Sequence, residues 1–165
     1  MKCTIVSNRK ELDLKCKNEK EEPYIQIKKD LLDKIWSLFT KGYDEFYVNC
    51  EYGIPLWAAE AICSLKKYNE IYLYIVAPFE EQTTDWQEAL RDRYFSMHRQ
   101  ADEVEFAEPH RTEDSYDIAD EKMIDDSDLL LVYGSEKDGL YAAKYAKKIG
   151  RKTEFESLHC FTQQQ

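Results

Sequence analysis

The chain has no apolar run approaching the roughly 18 residues needed to cross a bilayer, no Cys-x-x-C pair, no histidine cluster and no basic patch. Each absence removes a class of function. The opening stretch Met1–Val6 is too short for the apolar core of a signal peptide and runs straight into Ser7-Asn8-Arg9-Lys10. Together with the missing span, this predicts a cytoplasmic protein without a membrane partner. The five cysteines (3, 16, 50, 63 and 160) are far apart and odd in number, which argues against a disulfide framework or a zinc site and for reduced, buried thiols. His98, His110 and His159 fit no metal-ligand spacing, so no metal is expected. With 33 acidic against 23 basic side chains the net charge is −10, the wrong sign for bulk binding to a nucleic-acid polyanion. There is no internal repeat, linker or low-complexity segment, so residues 1–165 are expected to form one domain with a polar tail from about 156.

What is present is an alternation of apolar runs and amphipathic stretches. Residues 3–6, 45–50, 71–77, 103–106, 128–133 and 152–155 read as strands. Ile71–Ala77 is apolar throughout, as a central strand covered on both faces should be, and Pro78 is expected to end it. Leu31, Leu32, Ile35, Leu38 and Phe39 recur at helical spacing before Gly42. Further helices are predicted over 54–69, after an Asp85 cap, over 116–126, and from Gly139 to Gly150. Strands separated by helices imply right-handed βαβ units. The expected fold is therefore α/β: a Rossmann-like three-layer α/β/α arrangement on a mostly parallel sheet. Ligands in such sheets sit beyond the C-terminal strand ends, where the strand order reverses, so the loops after residues 6, 50, 77, 106 and 133 are the candidates.

The most informative stretch is Phe46–Glu60. An apolar strand enters a turn at Gly53 that opens directly into a helix, the layout of an anion cradle, because a helix N-terminus offers free N–H groups and a positive dipole end. Glu51 has the wrong sign for phosphate. Gly53 admits a ligand to the backbone or merely turns the chain. Cys50 is a nucleophile only if a base stands beside it, and a buried thiol otherwise. After the first strand, Ser7, Asn8 and Arg9 form a polar loop in which Arg9 can fork onto a phosphate or lie solvated on the surface. Trp57 can stack on a ring or pack in the core, and Glu60, one turn on, can accept from a ribose hydroxyl or face water. Pro78, Phe79, Gln82 and Trp86 follow the best strand and can line a pocket for a flat ligand or pack a loop. Asp138-Gly139 is a second possible cradle, again with an acidic residue in place, or a plain cap. With so many acidic residues, carboxylate pairs arise by chance, and no catalytic residue is assigned.

These motifs resemble a known family. Gly53-Ile54-Pro55-Leu56-Trp57-Ala58-Ala59-Glu60 is similar to the Gly-Val-Asp-Leu-Trp-Ala-Ala-Glu block of the DUF1273, or YpsA-like, branch of the SLOG superfamily. The order of Pro78, Gln82, Trp86, Arg93-Tyr94, Ala101-Asp102, Ser127-Asp128 and Tyr145–Gly150 follows that branch as well. That superfamily also contains the lysine-decarboxylase-like cytokinin phosphoribohydrolases and the DNA-processing protein A fold. The resemblance implies a Rossmann-like sheet and a nucleotide-derived ligand, without a defined enzymatic activity or cofactor for this branch. Three departures stand out. Relatives carry Thr-Gly-His-Arg after strand one, where this chain has Ser7-Asn8-Arg9. Their second-loop glycine falls at Asn49 and their aspartate at Pro55. Their Gly-Gly-Thr phosphate turn is Asp138-Gly139-Leu140 here.

Three readings follow. In the first, the protein binds a nucleotide or nucleotide sugar, with Arg9 on the phosphate, Gly53 and Gly139 donating from the backbone, and Trp57, Phe79 or Trp86 against the base. In the second, it is an altered scaffold that acts through a protein partner, a role for which its 12 Tyr, 3 Trp and 7 Phe leave room. In the third, it hydrolyses an N-glycosidic bond like the phosphoribohydrolases, whose Pro-Gly-Gly-x-Gly-Thr turn is not intact here. Relatives of this fold often dimerise, and a homodimer is admitted.

Overall fold

The computed structural model describes residues 1–8 and 18–158, so Arg9, Cys16, His159 and Cys160 lie outside the described residues. Six strands, β1 (Lys2–Ser7), β2 (Glu45–Val48), β3 (Tyr72–Phe79), β4 (Glu103–Glu108), β5 (Leu129–Tyr133) and β6 (Lys152–Glu156), form one sheet in the order β4-β3-β2-β1-β5-β6. Every neighbouring pair is parallel. The helices are α1 (Tyr24–Thr40), α2 (Ile54–Lys66), α3 (Glu88–Gln100), α4 (Ser115–Asp125) and α5 (Tyr141–Lys148). The chain steps outward from β1 to β4, then returns through α4 to place β5 on the other side of β1. The strand order therefore reverses between β1 and β5.

The period-two alternation of the strands sorts side chains onto two faces. Cys3 and Ile5 of β1 and Leu129 and Leu131 of β5 join the large core beneath α1, α2 and α3. Val6, Leu130 and Val132 face the opposite way, against Ile124 of α4 and Ala142 and Ala146 of α5. A third cluster sets Tyr47 and Val76 against Ala119 and Met123 of α4. Both sheet faces are thus covered, which is why the central strands read as unbroken apolar runs. The one buried polar residue of β1, Thr4, donates its hydroxyl to the Met123 carbonyl at 3.0 Å, so its burial costs little.

Several boundaries differ from expectation. Helix α1 starts at Tyr24, and its buried stripe is Tyr24, Ile27, Leu31, Ile35 and Leu38. Strand β2 stops at Val48, because Cys50 turns into left-handed backbone with φ 60°. Pro78 does not end β3. The strand continues to Phe79, because β2 ends opposite Ile75 and beyond it β3 pairs with β4 alone, where a missing N–H is tolerated. Asp85 does not cap α3; Gln87 occupies that position, and Trp86 lies in the preceding turn with its N–H on the Thr83 carbonyl. Gly139 closes a short 3-10 turn (Glu136–Asp138) with φ 64°, and α5 begins two residues later.

Helix α3 docks through Tyr94 and Met97. His98 packs beside them, its ring 4.1 Å from that of Tyr94, and its Nε2 is buried with no hydrogen-bond partner. Burial pushes its pKa down to about 4.

Two outcomes are expected. Leu131→Ala, at the fully buried centre of the sheet, should cost about 2–5 kcal/mol in urea denaturation, against less than about 0.5 kcal/mol for Glu105→Ala on the exposed edge strand. His98 titrates near 6.5 when unfolded and near 4 when folded, so the unfolded chain takes up the proton first and stability falls as pH drops through that window. His98→Phe should flatten that part of a plot of Tm against pH.

Candidate functional site

At the strand reversal a cleft of about 390 Å³ opens beyond the C-terminal ends of β1 and β2. Its lower wall is Ser7 and Asn8, from the end of β1, with Asn49, Glu51 and Pro55 from the turn into α2. Its upper wall is the first turns of α4 and α5, contributing Tyr116, Asp117, Asp120, Leu140 and Tyr141. This is the position a doubly wound sheet reserves for ligands. Asn8 is tied to the neighbouring strand by its N–H on the Tyr133 carbonyl at 3.0 Å. Gly134 holds the other side with φ 154°, which side chains rarely adopt, and a Cβ there would press on Asp138 Oδ2 at 2.8 Å, so a glycine suits the close approach of the two loops.

The turn into α2 is well ordered by its own groups. Gly53 caps the helix with φ 103°, and Pro55 occupies the first turn. The Leu56 N–H donates to the Glu51 carbonyl at 3.0 Å and the Trp57 N–H to the Gly53 carbonyl at 2.9 Å, while Pro55 has no N–H. Most of the donors that make a helix N-terminus an anion cradle are therefore absent or used internally. The Glu51 carboxylate accepts from the Tyr116 hydroxyl and from Gln82 Nε2 at 3.0 Å. The second expected cradle is self-satisfied too. Asp138 accepts from the Ser135 N–H at 2.8 Å, the Ser135 hydroxyl accepts from the Lys137 N–H at 3.2 Å, and the Gly139 N–H points to the Glu136 carbonyl. Gly139 is not a cleft residue at all; it borders a separate groove outside α5.

The charge of the cleft is one-sided. Glu51, Asp117 and Asp120 line it, and no lysine or arginine does so among the described residues. Carboxylates and amides in this setting accept from hydroxyl and amino groups and disfavour a phosphate. Among the described residues no group of three or more His, Cys, Asp or Glu side chains is disposed to hold a metal ion.

The sequence-predicted residues divide. Ser7 and Asn8 come together in the cleft, and Arg9 lies outside the described residues. Cys50 and Gly53 shape the turn, but the Cys50 side chain is wholly buried in the core and burial pushes its thiol pKa far up, so it is no thiolate nucleophile. The three rings do not gather at the cleft. Trp57 is 2% exposed; Tyr24 and Tyr52 meet it edge-on, Lys28 lies over it at 5.2 Å, and its N–H donates to Glu19. Phe79 sits behind Tyr116, their centroids 6.0 Å apart, and Trp86 packs on Tyr94. Pro78 is buried within β3. Gln82 is a buried latch: besides Glu51 it donates to the Asn49 carbonyl at 3.2 Å, and it accepts from the Tyr94 hydroxyl at 3.0 Å.

Glu60 is likewise structural. Arg93 bridges it (2.6 Å) to Glu19 (2.6 Å), and Lys28 reaches Glu19 at 3.2 Å. Burial alone would raise the Glu19 pKa, but Arg93 and Lys28 outweigh it and hold the carboxyl below its ordinary value. Tyr116, Asp117, Asp120 and Tyr141 were not anticipated. Only the strand order brings α4 and α5 over the end of β1, and strand order is not written in local periodicity.

The fold is a doubly wound parallel α/β sheet with a cleft at the β1–β5 reversal. The YpsA model, described as the YspA SLOG family, matches residues 4–163, and the chain belongs to that family. It is 34% identical over 128 residues to a UPF0398 protein from Halalkalibacterium halodurans, covering 74% of this chain and 68% of the relative. It is 29% identical over 144 residues to the UPF0398 protein YpsA of Bacillus subtilis, covering 84% and 79%. Among solved structures it is similar to DNA processing protein A from Helicobacter pylori, described for its single-stranded DNA binding mode. The TM-score is 0.60 at 13% identity, over 94% of this chain and 64% of that one, a likeness of fold. Among the described residues no helix is long and apolar enough to cross a membrane.

Gln82→Ala removes three hydrogen bonds at once and strands the buried Tyr94 hydroxyl. It should lower stability by about 1–3 kcal/mol in urea denaturation, and Tyr94→Phe in the same background should recover part of that loss.

Proposed function

We propose that this chain is a one-domain cytoplasmic binding protein that recognises a nucleotide-derived ligand in the cleft at the β1–β5 reversal, in a sensing or regulatory role. The observation that carries the reading is the cleft itself: about 390 Å³, within the usual range for small-molecule sites, with amides and carboxylates converging on it. The sugar hydroxyls and base amino groups of a nucleoside donate to Glu51, Asp117 and Asp120 and to the Asn8 and Asn49 carbonyl oxygens. Arg9, next in sequence after Asn8, is the residue that would meet any phosphate. Ser7 sets the floor, and Gly53 lets the α2 turn approach.

A second reading, a scaffold acting through a protein partner, is favoured by one observation: both helix-entrance cradles spend their donors on their own residues. Helicobacter pylori DNA processing protein A binds single-stranded DNA. In this chain the acidic cleft is a poor seat for a polyanion, so a nucleic acid is not proposed there.

The test is a thermal-shift panel of adenosine, ADP-ribose, NAD and nucleotide sugars. A ligand at 100 times its Kd adds about 2.7 kcal/mol, a rise of several degrees for a chain of this size. Asp117→Asn is expected to weaken every hit at least tenfold, and Arg9→Ala only those that carry phosphate. A flat panel at millimolar concentration, alongside a partner recovered stoichiometrically, would support the scaffold instead.

A further inference from the structure

Outside α5, on the side away from the cleft, a groove of about 340 Å³ runs between that helix and the edge strand β6. Lys144 and Lys147 stand one turn apart on the helix, and Arg151 follows after the turn at Gly150, so three cations line the groove. Phe155 of β6, 37% exposed, lies in the same wall with the apolar Leu140. Glu136 is the one acidic residue that lines it.

Lys28, Lys34, Lys66, Lys122 and Arg93 all reach a carboxylate within 4 Å. Lys144, Lys147 and Arg151 enter no ion pair among the described residues, as is also true of Lys29, Lys41 and Lys148; what sets the three apart is that they line one groove together. Arg151 gives one guanidinium N–H to the Asp125 carbonyl at 3.3 Å, while its Nε is buried with no hydrogen-bond partner. Three cations lining one groove with a single carboxylate, Glu136, leave a positive field that an anion relieves.

We propose that this groove binds a 5′-phosphorylated nucleoside, the phosphate between Lys144, Lys147 and Arg151 and the base against Phe155. Three cations against one carboxylate leave a surplus that matches a phosphomonoester dianion. An aromatic face beside a cationic channel is the pairing that holds a base and its phosphate together. A groove of about 340 Å³, near the lower limit for small-molecule sites, accommodates a single nucleotide unit. The same chemistry is offered by a free mononucleotide and by the 5′ end of a phosphorylated single strand. The proposal does not depend on the acidic cleft being a ligand site.

The experiment is isothermal titration at 50 mM salt with two probes, AMP and a 5′-phosphorylated oligothymidylate, the latter compared with its unphosphorylated form. Lys144→Glu/Lys147→Glu should weaken the binding probe at least tenfold, Lys144→Gln/Lys147→Gln to a lesser extent, and Phe155→Ser several-fold. Both lysines are exposed, so an unchanged Tm is expected and is checked for each variant. Asp117→Asn, in the other cleft, should leave this binding intact. Binding of AMP identifies the free nucleotide as the source; binding of the phosphorylated strand alone identifies the strand end. The proposal is overturned if neither probe binds the wild-type protein at millimolar concentration, if binding survives both lysine pairs, or if Asp117→Asn alone abolishes it, an outcome that would place the ligand in the cleft.

Discussion

The candidate cleft exists because β1 lies between β2 and β5. Strand β1 pairs with Glu45–Tyr47 on one side and with Leu129–Tyr133 on the other. Because the chain leaves β1 in one direction and returns on its other flank, helices α1 to α3 cover one face and α4 and α5 the other. No helix can fill the space directly beyond the end of β1. The cleft is the residue of that constraint. The buried Thr4, hydrogen-bonded to the Met123 carbonyl, ties β1 to the end of α4 and so fixes the roof over the cleft.

Electrostatics then divides the surface around α5 into two unlike sites. On the cleft side, Glu51, Asp117 and Asp120 face inward, and the entrances to α2 and to the 3-10 turn satisfy themselves with Glu51, Ser135 and Asp138. On the far side, Lys144, Lys147 and Arg151 meet no carboxylate. Leu140 borders both spaces and separates them. In a chain of net charge −10 three cations gather in the groove beside the cleft, and none lines the cleft among the described residues. The departures from the family pattern at Asn49, Pro55 and Asp138 have the same physical sense. Each fills or occupies a place where backbone N–H groups would otherwise meet an anion.

Much of the fold was legible in the sequence. The apolar runs at 71–77 and 128–133 and the alternation of strands with helices pointed to a parallel α/β sheet, and every neighbouring pair is parallel. Boundaries failed where tertiary context overrode local chemistry. Pro78 continues β3 because its neighbour has already ended, and Gly139 closes a 3-10 turn that periodicity does not resolve. The lining of the candidate cleft was half legible. Ser7, Asn8 and the turn at Gly53 follow from the rule that ligands sit at strand ends. Tyr116, Asp117 and Asp120 required knowing that α4 crosses back over β1. The aromatic residues misled for a simple reason: a tryptophan or phenylalanine beside a loop has the same sequence signature whether it stacks on a ligand or, like Trp57 against Tyr24 and Tyr52, closes the core.

The ligand is proposed to sit at the β1–β5 reversal. The most direct measurement is a two-dimensional amide NMR titration of the uniformly labelled protein with ADP-ribose. Saturable shifts of the Ser7, Asn8, Asn49, Glu51, Tyr116 and Asp117 amides are expected, with α1 and β4 unmoved. Shifts confined to residues remote from this cleft, or a titration that moves no amide at millimolar ligand, would contradict it.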